Sequence, residues 1–197
     1  QSLDISDGKA LELLLFINHF RRLPRVYDIN PRLARALVIW EEGNLGLACA
    51  RLVAREVRFL TLVNPNAKFL ERAAELIIAE TGVCPQVLTE SPDWRRHKIV
   101  IKCGRLYHYH IPSTIKPAIW LEIFQKNPSL YSLNVDLPVT VFNGYQRRLP
   151  LYPALGETIL RSFFNLPGLW YGPELQLERI AKLVEIFKQL GVRMAGC

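Results

Sequence analysis

The sequence predicts a doubly wound α/β fold, with a mostly parallel six-stranded sheet and helices on both faces. Three observations predict it. Short apolar runs rich in β-formers alternate along the chain with longer stretches of helical periodicity. Residues 35–66, RALVIWEEGNLGLACARLVAREVRFLTLVNPN, compress strand, glycine turn, helix and strand into about thirty residues. The 197-residue chain is 50% hydrophobic and 22% charged, which supplies one substantial core and argues against disorder.

The elements follow in order. Ser6 or Asp7 is suited to cap a helix over Lys9–Arg22, where Leu11, Leu14, Leu15, Phe16 and Phe20 recur at helical spacing and Pro24 marks the end. Ala36–Trp40 is the first strand. A turn, Glu41-Glu42-Gly43-Asn44-Leu45-Gly46, leads into a helix over Leu47–Arg55, and Arg58–Val63 is the second strand. Asn66–Glu80 repeats the helical period through Phe69, Leu70, Ala73, Leu76 and Ile77, and Gly82 closes it. Gln86–Leu88 and Lys98–Lys102 are the third and fourth strands, followed by an aromatic and histidine-rich loop over residues 105–112. Ser113–Gln125 is predicted helical, with Pro117 in its first turn. Leu130–Val135 and Val139–Phe142 complete the sheet, and helices over Ala154–Phe164 and Pro173–Leu190 end the chain. The simplest division is an N-terminal hinge helix (1–30) packed on a main domain (31–197).

The glycine turn is the main chemical signal. A dinucleotide turn uses three glycines: one for the tight turn, one for close backbone approach to pyrophosphate, and one for helix–strand packing. Gly43 and Gly46 stand at the second and third positions, and Glu41 stands at the first. The helix start at Gly43, Asn44, Leu45 and Gly46 offers amides to a phosphate, which Glu41 and Glu42 would oppose if they faced it. An acid usually grips the ribose about 20 residues further on. Here Asn64 and Asn66 flank Pro65, with Lys68 near enough for a 2′-phosphate, so NADP is favoured over NAD. Cys103 and Gly104, after the fourth strand, occupy a place often close to a nicotinamide ribose. Cys103 and Asp136 are candidate catalytic residues at strand ends that face the cleft in this architecture. Gly144, Tyr145, Arg147, Arg148 and Glu157 are weaker candidates for the same region. His108 and His110 share one face of an extended segment, but no further ligand stands at metal-site spacing, so no metal is expected.

Three segments together resemble shikimate-dehydrogenase-like proteins, and within them the predicted amino acid dehydrogenases related to acyl-carrier-protein reductases. Leu3-Asp4-Ile5-Ser6-Asp7-Gly8-Lys9 is similar to the Asn-Thr-Asp-Gly that opens the hinge helix of shikimate dehydrogenases. Asn64-Pro65-Asn66 is similar to their Asn-Arg-Thr after the second strand. The tail, through 154–160, Tyr171-Gly172, 177–180 and 190–196, resembles the closing helices of the amino acid dehydrogenases. The resemblance implies a Rossmann-like nucleotide-binding domain of an NAD(P)-dependent oxidoreductase, with Asp7 moving a proton beside a lysine. That lysine belongs to an N-terminal domain in the family, so either a segment before Gln1 supplies it or the protein is not a catalyst of that type. The other reading of Asp7 is a simple helix cap.

Net charge is +7 and the pI about 9.4, which suits an anionic partner. The basic residues form small sets such as Arg95-Arg96, and no helix-turn-helix, RNP or zinc motif favours nucleic acid. Cys49, Cys84, Cys103 and Cys197 show no zinc spacing; three of the four lie in apolar surroundings and read as small core residues, and a reducing cytoplasm is expected. No run reaches membrane-spanning length and no signal peptide is read. The expected partners are a nucleotide and a small-molecule substrate, with a second copy of the chain as a further candidate. A non-catalytic, degenerate Rossmann module is the rival reading.

Overall fold

The computed structural model describes residues 7–110, 119–123, 133–135, 149–151, 154, 156–158, 164 and 177–189. The chain divides into two compact units, 20–125 and 1–19 with 126–197.

The 20–125 unit is built on a five-stranded, all-parallel sheet: β1 (Arg35–Trp40), β2 (Phe59–Val63), β3 (Gln86–Leu88), β4 (Ile99–Cys103) and β5 (Ile119–Ile123), in the order β3-β2-β1-β4-β5. Ala36–Trp40 are buried on both faces, as a central parallel strand requires. Register places Ile39 beside Val63 and Trp40 beside Cys103. With α1 (Lys9–Phe20) and α2 (Leu23–Tyr27) preceding the sheet, α3 (Leu45–Ala54) and α4 (Ala67–Thr81) are its crossover helices. Both lie on the face that carries Trp40. Its ring meets Phe69 of α4 edge-on, with centroids 6.0 Å apart, and it also lies against Gly46 of α3. α4 is bounded as its sequence dictates: Asn66 Oδ1 accepts from the Phe69 amide, and Gly82 ends the helix at φ +72°.

The opposite face presents Leu37, Ile39, Val63 and Val100. Trp94 and Tyr109 pack on it, with Leu106 and Trp120 beside them. A single 3₁₀ turn (Trp94–Arg96) contributes Trp94. The buried His97 ring fastens this segment to β2. Nδ1 lies 3.1 Å from the Asp93 carbonyl, so it carries the hydrogen, and Nε2 accepts from the Thr61 hydroxyl at 3.0 Å. Burial pushes the His97 pKa down, against the opposing pull of the Asp93 carbonyl. Below about pH 6.5 the unfolded chain therefore takes up a proton that the native site refuses, and stability falls with pH at up to about 1.4 kcal/mol per unit. A His97→Gln variant is expected to lose this part of the acid-side slope in urea midpoints measured between pH 7 and 5. An unchanged slope would show that His97 is not its source.

Two sequence expectations change here. Among the described residues the sheet has five strands where six are expected, and the segment expected as a helix over 113–125 contains β5. Ile119, Leu121 and Ile123 are buried and alternate with Trp120 and Glu122, a period of two that outweighs the helical pattern. Pro24 lies in the first turn of α2 after α1 has ended at Phe20.

In the other unit, α1 is buried almost all round, through Ala10, Leu11, Leu13, Leu14, Leu15, Phe16 and Ile17. The fully buried Glu157 accepts the Leu11 amide at 3.1 Å, in the first turn of α1. β6 (Leu133–Val135) pairs antiparallel with β7 (Leu149–Leu151), so the segment expected as a fifth sheet strand forms a separate two-stranded ribbon. Positions 154, 156–158 and 164 are helical, and α5 (Leu177–Gln189) buries Ile180, Leu183 and Ile186 at helical spacing. The expected strand over 139–142 lies outside the described residues. Among the described residues no helix is long and apolar enough to cross a membrane.

Candidate functional site

The strand order reverses direction between β1 and β4. From β1 the chain works outward through β2 and β3, then returns to β1's other side for β4 and β5. Open α/β sheets bind ligands outside the carboxyl ends of the strands at such a switch point. The carboxyl ends of β1, β2 and β4 are neighbours, so Gly43, Asn44, Leu45, Gly46, Asn64, Asn66, Lys68, Cys103 and Gly104 come together along one edge.

The turn after β1 divides its work among three positions. Gly43 is exposed and adopts φ +68°, a backbone state that glycine enters without steric cost. Gly46 is buried, and a Cβ there would lie 2.1 Å from Trp40 Cγ. Its missing side chain is what lets α3 lie on β1. Glu41 stands where a first glycine would, at negative φ, so the backbone there does not require glycine. Asn44, at the start of α3, makes no side-chain cap bond. The buried Trp40 Nε1–H finds no acceptor among the described residues.

Glu41 points neither at α3 nor to solvent. Its side chain is 1% exposed and reaches across the switch point to the loop after β4. Oε2 accepts from the Tyr107 amide at 2.7 Å. Oε1 accepts from the His108 amide at 2.7 Å and the Tyr109 amide at 3.2 Å. His108 Nδ1 lies 3.0 Å from Oε2. Burial alone would raise the Glu41 pKa. The backbone hydrogen bonds from Tyr107 and His108, then the His108 ring and the Tyr109 amide, outweigh it and hold the carboxyl below its usual value. The Tyr109 phenol donates to the Thr89 carbonyl at 2.8 Å, and burial together with the Glu41 charge pushes its pKa up to about 12.

The other sequence candidates take defined places. Asn64 is 2% exposed and pins the strand ends together. Its Nδ2 donates to the Trp40 carbonyl at 3.0 Å, its Oδ1 accepts from Asn66 at 2.9 Å, and its own amide donates to Leu88. At the position the sequence gives to a ribose contact, Asn64 is therefore an internal strut. Asn66 caps α4, and Lys68 is exposed in that helix's first turn. Cys103 is buried, and Gly104, at φ +75°, donates its amide to Ile123. Cys49 is also buried, but Cys84 is exposed. Asp7 belongs to the other unit, where its carboxylate accepts from the Lys9 amide and pairs with Lys9 Nζ at 2.8 Å, both contacts at the start of α1. Asp136, Gly144, Tyr145, Arg147, Arg148 and Cys197 lie outside the described residues. No metal-binding group of His, Cys, Asp and Glu occurs among the described residues.

The sequence singled out both Glu41 and the 105–112 loop without joining them. They lie 66 residues apart, and no spacing rule connects a turn to a loop three strands later. Comparison with protein families finds no family model that matches the chain, and comparison with curated proteins finds no match.

Proposed function

We propose that the 20–125 unit is a Rossmann-like NAD(P)-binding domain, and that the chain is an oxidoreductase of the shikimate or amino acid dehydrogenase-like type or its cofactor domain. The observation that carries this reading is the β1–turn–α3 unit at the switch point of a β3-β2-β1-β4-β5 sheet. That order matches the first five strands of the doubly wound dinucleotide fold. Gly46 packs α3 closely on the strand, as the third glycine of such a turn does, and the exposed Gly43 would let a diphosphate approach the backbone.

The fit to a dinucleotide differs along its length. The turn fits the diphosphate: α3 starts beside an exposed Gly43, and the Glu41 charge is turned away into the 107–109 loop. The ribose end carries no acid, and the exposed Lys68 suits a 2′-phosphate, which favours NADP. Toward the reactive end, the Glu41 contact spans the crevice. Glu41 and Asn64 are therefore the observations that favour a second reading, a non-catalytic module of the same fold with another ligand or a protein partner.

Thermal unfolding with and without NAD, NADH, NADP and NADPH separates the two. A ligand at about 100 times its Kd adds about 2.7 kcal/mol, a rise of several degrees for a domain of this size. The proposal expects the largest rise with a phosphorylated form. No rise with any of the four would favour the non-catalytic module.

A further inference from the structure

Glu41 is gripped as a bound ligand would be. Four N–H donors converge on its two oxygens, two on each, at 2.7–3.2 Å. Three of them are successive backbone amides, the concave arrangement that binds anions elsewhere in proteins. The carboxylate is almost wholly buried, whereas Tyr107 and His108 are exposed. The nest thus has an outer side open to solvent and an inner side filled by the protein itself. Two oxygens matched by two pairs of donors describe a carboxylate more closely than a spherical anion.

We propose that the Tyr107, His108 and Tyr109 amides, with the His108 imidazole, form a carboxylate-binding site whose resting occupant is Glu41, and that the carboxylate of a ligand takes this site by displacing it. The site lies at the switch point, between the ends of β1 and β4, where the fold brings ligands. Glu41 is tethered only a residue beyond β1, so its effective concentration is high and free acids at low concentration do not compete. A ligand anchored elsewhere along the same edge competes on equal terms. The proposal goes beyond the nucleotide reading and does not depend on it.

The test uses acetate and no nucleotide. In Glu41→Ala, hydrogen exchange at the amides of Tyr107, His108 and Tyr109 is expected to quicken by about tenfold or more. Sodium acetate should slow it again and shift those three amide resonances to saturation, while sodium chloride at equal ionic strength leaves them unmoved. The wild-type protein should not respond to acetate. If the variant is too unstable for exchange measurements, acetate should raise its melting temperature above the chloride control and leave that of the wild type unchanged. No acetate-specific response in the variant, or an equal response in the wild type, would overturn the proposal. Either failure would leave the nucleotide reading untouched.

Discussion

Gly46→Ala is expected to lower the stability of the protein by about 2 kcal/mol, although alanine is the better helix former. The new methyl would lie 2.1 Å from Trp40 Cγ and 2.5 Å from its Cβ and Cδ2. Cβ is fixed to the backbone, and no rotamer change moves it. The ring is wholly buried and edged by Phe69, so α3 has to lift from the sheet. Overpacking of this kind costs about 1–3 kcal/mol and sometimes more, against a propensity gain of about 1 kcal/mol. Urea unfolding checks it: the midpoint should fall with little change in slope. An unmoved midpoint would mean that α3 and β1 are less closely packed than described.

Glu41→Ala is the second large effect. It removes the acceptor for three backbone amides and the His108 ring at once. A hydrogen bond to a charged group contributes about 1.5–3 kcal/mol. Water reaches the exposed Tyr107 and His108, so the set is not additive, and a loss of about 2 kcal/mol is expected. The pH dependence has a definite sign. The folded carboxyl has a depressed pKa, so its contribution is complete above the unfolded value of about 4.3 and is lost as pH falls through the folded value. At neutral pH, Glu41→Gln should resemble the acidified wild type, with one oxygen replaced by a donor facing donors. Stability equal to wild type in both variants would show that the clasp does not hold the loop.

Much of the 20–125 unit was legible because its signals are local. The apolar run 36–40, the glycine turn, the small-residue helix and Asn66 with Gly82 around α4 each act within a few residues, and each element stands within two residues of its expected bounds. β5 was misread because Pro117 fits a helix start, and five residues of alternation are a short signal beside thirteen of mixed pattern. The antiparallel ribbon was missed because Leu149-Pro150-Leu151 is three residues long with a proline at its centre, and only pairing with Leu133–Val135 makes it a strand. Within the site, the close packing at Gly46 followed from its place in the turn. The Glu41 clasp and the Asn64 strut did not, since each joins groups that only the sheet brings together.

The measurement that tests the central claim most directly is the affinity of Gly43→Asp for NADPH, set beside that of the wild type, with urea unfolding of both. Aspartate at φ +68° places a carboxylate at the turn where the diphosphate is proposed to lie. A wild type that binds, and a folded variant whose affinity falls by tenfold or more, is the predicted result. Equal affinity in the two proteins, or a wild type that does not bind, would contradict a dinucleotide at the β1–α3 turn.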